Sequence, residues 1–482
     1  MSGKGKIYDM MVPGAKSSSP DRDVFAPFDG SYIASIPGSD KNTVEKALEN
    51  AHKLYRDRKS WIPKYKRIEI LIKTCEIMRG SIQELALEAA REGGKPLVDS
   101  VIEVERAISS IEACVEVMKS HSGEVIPMNL NLASSNRIAM TQPEPIGVVV
   151  AVSAFNHPLN LIAHQVGPAI AAGCPVIVKP AEDTPLSCMR FVEILREAGL
   201  PENWCQALVT EDLEAAQALV TDGRVNFFSF IGSPGVGWKL KSLLAPGARC
   251  ALEHGGAAPV IVGDNPNMDP MIDGLLKGGF YHAGQVCVSV QRVFVHETLV
   301  EEVYSKLAQK ASKLIVGDPT KAETEVGPLI RKQELERVDE WVQEAAQSGG
   351  KIITGGQRLS DTCYSPTVIF EPPENVSVSK KEIFGPVVCV YQYKDIDEAI
   401  TRANSLPFAF QASVFTQNID LAMRVYSALD ASAVMINDHT AFRVDWMPFA
   451  GYGQSGHGTG GIPYTIHEMQ MHKMMVLKSQ SL

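Results

Sequence analysis

The stretch IGVVVAVSAFNHPLNLIAHQVGPAIAAGCPVIVKP, residues 146–180, decides the fold. It opens on Ile146–Val152, a short run rich in β-branched residues with no polar alternation. A strand apolar on both sides belongs inside a parallel sheet covered on both faces. A helical stretch follows over Leu159–Ala172, then a second apolar run, Pro175–Val178. Strand, helix, strand is the unit of a doubly wound α/β sheet. Downstream, Asn226–Ile231 reads as a third strand, after a helix over Pro185–Ala198. A second α/β series then runs through the strands Pro259–Val262, Arg292–His296, Val387–Tyr391 and Ala433–Ile436, with a helix over Val300–Leu314. Upstream, helical spacing extends from Asn42 to Leu87, as in Val44, Ala47, Leu48 and Ala51. A further helix over Val98–Met118 carries the stripe Val101, Val104, Ile108, Ile111, Val115 and Met118. Residues 1–40 read as an extended lead-in. Residues 120–140 suit a linker or a hairpin, and 464–478 match neither period cleanly.

Composition agrees with a globular protein. A chain of 482 residues spans two to four domains at roughly 100–200 residues each. Hydrophobic residues make up 45% and charged residues 21%, which argues against disorder, collagen and coiled coil. The net charge of −10 gives a nucleic-acid partner no electrostatic support. The nine cysteines form no CxxC pair and no Cys/His cluster with ligand spacing, so no metal is expected, and individual thiols in a reducing compartment are. The polar start Met1–Lys6 has no apolar leader core, and no run of about 20 apolar residues exists, so a cytoplasmic protein without a membrane span is expected.

Ligands of a doubly wound sheet bind beyond the carboxyl ends of its strands, and five motifs fall on candidate loops. Gly232-Ser233-Pro234-Gly235-Val236-Gly237 joins a strand to a helix. Its glycines let a phosphate approach the backbone, and the helix start offers N–H donors. A plain strand–turn–helix has the same look. Lys179 and Glu182, after Pro175–Val178, have the chemistry to hold ribose hydroxyls, or to form a surface ion pair. An acid there disfavours a 2′-phosphate. Cys287, in Gly284-Gln285-Val286-Cys287, is either a buried filler or a nucleophile, which needs a lowered pKa or a nearby base. Glu253, ahead of Gly255-Gly256, is a candidate general base or a turn carboxylate. Asn156, in Phe155-Asn156-His157-Pro158, is an oxyanion donor or a turn former.

Taken in order, PIGVVVAVSAFNHP, VIVKPAEDTP, FSFIGSPGVG, LEHGGAAPVIV, GQVC, KEIFGPVV and PFAGYGQSG resemble the aldehyde dehydrogenase superfamily over essentially the whole chain. Glu253 stands 34 residues before Cys287, as in that superfamily. The resemblance implies a Rossmann-type nucleotide domain, an α/β catalytic domain and a small bridging β element. It implies that Cys287 attacks the aldehyde, that Asn156 and the Cys287 backbone N–H hold the oxyanion, and that Glu253 activates water on a thioester. A base at Glu253 favours hydrolysis over acyl transfer to coenzyme A. It further implies that Lys179 and Glu182 hold the adenosine ribose, that Gly232, Ser233 and Gly237 hold the pyrophosphate, and that Glu382 and Phe384 contact the nicotinamide ribose and ring. NAD is the cofactor Glu182 favours, and NADP stays open. The chain departs from the family at Ile231, His254, His282 and Ala450, none of them a matched catalytic group.

Arg106 and Arg443 stand where one branch of the superfamily lines its substrate tunnel. That branch includes lactaldehyde, sulfolactaldehyde, phosphonoacetaldehyde and succinic semialdehyde dehydrogenases. A guanidinium pair suits a carboxylate, sulfonate or phosphonate. A small aldehyde with an anionic end is therefore expected, with His157 assisting. The bland alternatives pair Arg106 with Glu103 or Glu105, pair Arg443 with Asp445, and leave His157 a turn residue. Three other functions stay open: a lactaldehyde-like enzyme for neutral hydroxyaldehydes, a thiol esterase, and a nucleotide-binding protein without catalysis. By resemblance, residues 1–122 with 146–255 form the nucleotide domain and 256–453 the catalytic domain. Residues 123–145 and 466–482 are then the bridging element of a homodimer or homotetramer.

Overall fold

The computed structural model describes residues 6–482. The residues Met1–Gly5, where the first domain and the polar start begin, lie outside the described residues. Six strands form the first sheet, in the order Gly456–His457, Arg249–Glu253, Val225–Ile231, Val148–Val152, Val176–Lys179 and Cys205–Ala207. All neighbours are parallel except the short edge strand Gly456–His457, which returns from far down the chain. Seven strands form the second sheet, in the order Lys351–Thr354, Thr367–Phe370, Val387–Tyr393, Arg292–His296, Pro259–Val262, Gln411–Phe415 and Ala433–Ile436. Only Lys351–Thr354 runs antiparallel in it.

The two-sided burial expected of residues 146–180 is explicit. Val149, Ala151, Val176 and Val178 face a core shared with the helices Lys64–Gly80, Leu97–Ser120, Asn160–Ala172 and Leu186–Glu197. Val148, Val150, Ile177 and Phe228 face the opposite layer, against the helices Lys41–Arg56 and Leu213–Thr221. This is the period-two alternation of a strand with both faces covered. Each such valine, isoleucine or phenylalanine contributes about 1.5–3 kcal/mol relative to exposure. A second core packs the seven-stranded sheet against helices that include Met268–Phe280, Val300–Ala311 and Lys332–Gln347.

The helical stretch Asn42–Leu87 is three helices, Lys41–Arg56, Lys64–Gly80 and Ile82–Gly93. Pro63 stands at the start of the second, and Ser81 separates the second from the third. The ambiguous segments pair with each other: Gln470–Lys478 runs antiparallel to Arg137–Pro145, with Val125–Ile126 on the far side. The outer strand leaves Met474, Met475, Val476 and Leu477 exposed.

The strand order reverses at Val148–Val152, whose neighbours lead away on either side. Register places Val152 beside Lys179 and Phe230, and Ile231 beside Glu253. The loops carrying Asn156, Lys179, Gly232 and Glu253 therefore leave one carboxyl edge of one sheet. From Glu253 the chain crosses through residues 254–258 into the strand Pro259–Val262, whose first residue pairs with Arg292. Cys287 lies just before that Arg292 strand. The amino edge of the second sheet thus brings the thiol to the carboxyl edge of the first.

Candidate active site

A cleft of about 580 Å³ runs between the two sheets. Cys287, Glu253, Asn156, Gly232, Ser233, Glu382, Phe384, Arg106, His157 and Arg443 all line it. Of the residues singled out in the sequence, Lys179, Glu182 and Gly237 stand outside the lining.

Cys287 is partly exposed to the cleft. Burial, and then the Glu382 carboxylate, push its thiol up to about 12, while Arg443 opposes the rise. The group is therefore a thiol at neutral pH, and to act as a nucleophile it would need a base. Burial raises the Glu253 carboxyl as well, again against Arg443. Asn156 is 5% exposed and donates from Nδ2 to the Gln285 carbonyl at 2.8 Å. That bond ties the loop after the first sheet's central strand to the loop of the nucleophile, and leaves a second amide hydrogen. Just before the nucleophile, His282 and Ala283 both adopt left-handed backbone, with φ 49° and 54°. Phe384, packed edge-on to Phe155 at 5.8 Å, is left-handed too, with φ 49°. Such conformations cost of order 1–3 kcal/mol each in a bulky residue and concentrate at functional sites.

The Asn156 loop is held from behind. Glu103 accepts from the backbone N–H groups of Leu159 and Asn160, at 2.9 and 3.0 Å, and so caps the helix Asn160–Ala172. Its other oxygen pairs with Lys95, both side chains being fully buried. His157 sits against the Tyr281 hydroxyl at 3.0 Å. Burial, then Lys95 and His282, keep that imidazole neutral.

At the nucleotide end, Ser233 begins the helix Pro234–Ser242 without a side-chain cap, leaving the helix-start N–H groups to other acceptors. The His254 Nδ1 meets the Gly232 carbonyl at 2.9 Å, and its ring lies where a Cβ on Gly237 would stand. A Cβ on Gly255 would likewise meet the Glu382 carboxylate. These glycines let the turn, the base strand and Glu382 approach one another. The Lys179 ammonium is largely buried and makes no hydrogen bond among the described residues; its nearest acid is Glu182 at 3.9 Å. A buried cation without a close partner and an uncapped helix start, both at the carboxyl edge of one sheet, fit a dinucleotide with ribose hydroxyls and a pyrophosphate. Glu182 also pairs with Arg22 at 3.1 Å, from the N-terminal strands. Arg331 crosses the same mouth to Asp183, at 2.9 and 3.0 Å from its Nε.

At the other end the two arginines converge, and the sequence reading missed all their partners but the Arg443–Asp445 ion pair. Arg106 pairs with neither Glu103 nor Glu105. Its Nη2 and Nε donate to Asp445 at 2.6 and 3.2 Å, across 339 residues of sequence. Arg443 stands 3.9 Å from Asp445, and its hydrogen bond goes instead to His164 Nδ1, at 3.2 Å. Its guanidinium lies over the Phe449 ring, 3.5 Å from the centroid. His164 Nε2 lies 2.7 Å from Asp445 Oδ1. Burial and Arg443 push the imidazole down to about 4. Burial works against the Asp445 carboxylate, but His164 and Arg106 hold it well below the usual carboxylate range. One signal did point to His164: it and Gln165 are polar residues inside an otherwise apolar helix that is buried along its whole length.

Comparison with known proteins agrees with this geometry. Residues 15–475 match the model of the aldehyde dehydrogenase family. The chain is 36% identical over 473 residues to the 3-sulfolactaldehyde dehydrogenase of Priestia aryabhattai, covering 98% of each. It is 33% identical to the lactaldehyde dehydrogenase of Methanocaldococcus jannaschii, over 97% of this chain and all of that one. Among solved structures, aldehyde dehydrogenase 21 of Physcomitrella patens, in complex with the reaction product succinate, superposes with a TM-score of 0.94 at 33% identity, covering 98% of both chains. The chain belongs to the aldehyde dehydrogenase family, oxidoreductases that act on aldehydes with NAD(P). No helix among the described residues is long and apolar enough to cross a membrane, and no group of their His, Cys, Asp and Glu side chains suits a metal.

Proposed function

We propose that the chain oxidises a small aldehyde with an anionic tail to the corresponding acid. The observation that carries this reading is the convergence of Arg106 and Arg443 on the cleft that also holds Cys287. The names of the relatives point the same way: sulfolactaldehyde and succinate each carry an acid group beyond the reacting carbon. The lactaldehyde enzyme keeps a neutral hydroxyaldehyde as the second reading.

Each residue then has a task. Glu253, or a water it holds, takes the thiol proton, and the Cys287 sulfur bonds to the aldehyde carbon. The carbonyl oxygen becomes an oxyanion, which accepts from the free Asn156 amide hydrogen and the Cys287 backbone N–H. Removing one such donor costs roughly 10²–10³ in rate. NAD(P), held by Lys179, Glu182, the Gly232–Gly237 turn, Glu382 and Phe384, supplies the hydride acceptor when bound. With the thioester formed and the thiol proton passed on to solvent, the Glu253 carboxylate removes a proton from water as it attacks the acyl carbon. The carbon–sulfur bond breaks, and the carboxylic acid leaves. Arg22 offsets part of the Glu182 charge, so both NAD and NADP are accepted, NAD the better.

We assign 1–122 with 146–255 to nucleotide binding, 256–453 to catalysis, and 123–145 with 466–482 to bridging. The exposed apolar row on Gln470–Lys478 supports a homodimer or homotetramer formed by that element. Nine unpaired cysteines support a reducing, cytoplasmic setting. Steady-state reduction of NAD and NADP against succinic semialdehyde, sulfoacetaldehyde, phosphonoacetaldehyde, lactaldehyde and propanal tests the substrate reading. A strong preference for a charged member is expected; equal or better rates on lactaldehyde and propanal would overturn it.

A further inference from the structure

We propose that Asp445 and His164 tune the arginine pair to a tail bearing one negative charge, Asp445 cancelling one guanidinium and His164 aiming the other. This rests on the reading that the cleft takes an anionic tail. A charge removed from water must be matched by an opposite one, because each uncompensated ion costs several kcal/mol. The tail end holds two guanidiniums and one carboxylate. Arg106 spends two donors on Asp445 in a bidentate pair, so most of its charge is met within the protein. Arg443 has no such partner. Its side chain is 9% exposed, its Nε has no hydrogen-bond partner, and the nearest Asp445 oxygen is 3.9 Å away. One positive charge is left for a ligand.

Of the groups around the pair, only Glu253 alters that count, and it does so against a doubly charged tail. Lys95 is met by Glu103, and Lys277 by Asp99 at 2.7 Å. His164 is neutral. Glu253 faces Arg443 from the reacting end, and its ionisation only adds negative charge. A tail with two negative charges therefore brings one more than the site can match.

His164 has a geometric role that no other side chain there fills. Arg443 is always a donor and Asp445 always an acceptor. The imidazole between them is therefore fixed with hydrogen on Nε2 and the lone pair of Nδ1 turned to Arg443. It cannot turn over without losing both bonds. Phe449 covers one face of the Arg443 plane while His164 holds its edge, so the remaining N–H groups keep one direction. His164 acts through Arg443 and is a positioning residue.

Sulfoacetaldehyde and phosphonoacetaldehyde test this, being nearly the same shape and differing in charge. At about pH 8.5 the phosphonate is a dianion, as a phosphoryl group is above its second ionisation near 6. The purified enzyme is expected to favour sulfoacetaldehyde in kcat/KM by roughly tenfold or more, the usual size for a charged hydrogen bond. Asp445→Asn keeps the shape, removes the cancelling charge, and should shrink or reverse that ratio. His164→Leu should raise KM for sulfoacetaldehyde far more than KM for propanal. His164→Gln should recover most of the loss, because its amide can accept from Arg443 and donate to Asp445. Recovery by Gln separates aiming from simple filling, and it decides the matter if Asp445→Asn does not fold. Equal use of the two aldehydes by the wild type, an unchanged ratio in Asp445→Asn, or equal behaviour of the Leu and Gln variants would each overturn the proposal. If Arg443→Ala leaves the preference for sulfoacetaldehyde over propanal intact, the anionic-tail reading itself has failed. If Arg443→Ala abolishes that preference while the other tests fail, only the tuning has.

Discussion

The two ends of the cleft are built in different ways. The nucleotide end is made of contiguous pieces: a strand, a glycine turn and a helix over Val225–Ser242, and a lysine and an acid directly after Val176–Lys179. The tail end is made of single side chains from distant elements, Arg106 and Asp445 meeting across 339 residues. Backbone recognition is written in adjacent residues, because the chain itself must bend and approach. Side-chain recognition needs only that the folded elements deliver the groups, so its parts lie anywhere. On the proposed reading the first kind binds the cofactor and the second kind binds the substrate tail.

Substitutions sharpen that contrast. Cys287→Ala, between the two ends, should lower aldehyde oxidation by roughly the 10⁶-fold lost when a hydrolase loses its nucleophile. NADH binding, followed by fluorescence, should persist; retained turnover would reject the assignment. Arg443→Ala should lower kcat/KM for a charged aldehyde by roughly 10–150-fold, the range of hydrogen bonds to charged groups. The KM for NAD should stay near its wild-type value. Gly237→Val drives a side chain into the His254 ring. Overpacking of this kind costs about 1–3 kcal/mol, read as a raised cofactor KM with aldehyde selectivity unchanged. If Gly237→Val shifts aldehyde selectivity, or Arg443→Ala shifts cofactor KM, the two ends are not separable.

The smaller effects concern charge. Arg443 favours the ionised forms of both Glu253 and Cys287. In the proposed reaction the Glu253 carboxylate must be ionised to take the Cys287 proton, so the rate should rise with pH. Without the arginine cation both groups hold their protons to higher pH, and the rising limb of kcat/KM in Arg443→Ala should move to the alkaline side. Propanal is the substrate for that profile, because it does not depend on the tail contact. The smallest change is Arg22→Ala. The pair is a third or more exposed on each side, and such pairs are worth about 0.2–1 kcal/mol. Its loss leaves the Glu182 charge less compensated, so kcat/KM for NADP relative to NAD should fall by about twofold to fivefold.

The same contrast explains what was legible in the sequence. Strands apolar on both faces announced themselves, and Pro259–Val262 and Ala433–Ile436 read to the residue. The helices Met268–Phe280 and Lys332–Gln347 went unread, the first containing glycines and a proline, the second rich in charge. At the site, the residues in contiguous motifs were found, and most of them line the cleft. Arg22, His164 and the Arg106–Asp445 pair were not, because no local pattern marks a residue whose partner is set by tertiary packing. Asp445 was read only as an ion-pair partner of Arg443, which it meets at 3.9 Å, and the structure gives its bidentate pair to Arg106.

The buried carboxylate of Glu103 has a consequence for inheritance. It caps the helix behind the Asn156 loop from another helix, and Lys95 holds it there. The loop and these two residues are one unit of exchange. A recombinant whose crossover parts Lys95 from Glu103, joined to a relative that lacks the missing partner, is left with an orphaned ion in its interior, so crossover points between residues 95 and 103 should be rare among functional chimeras.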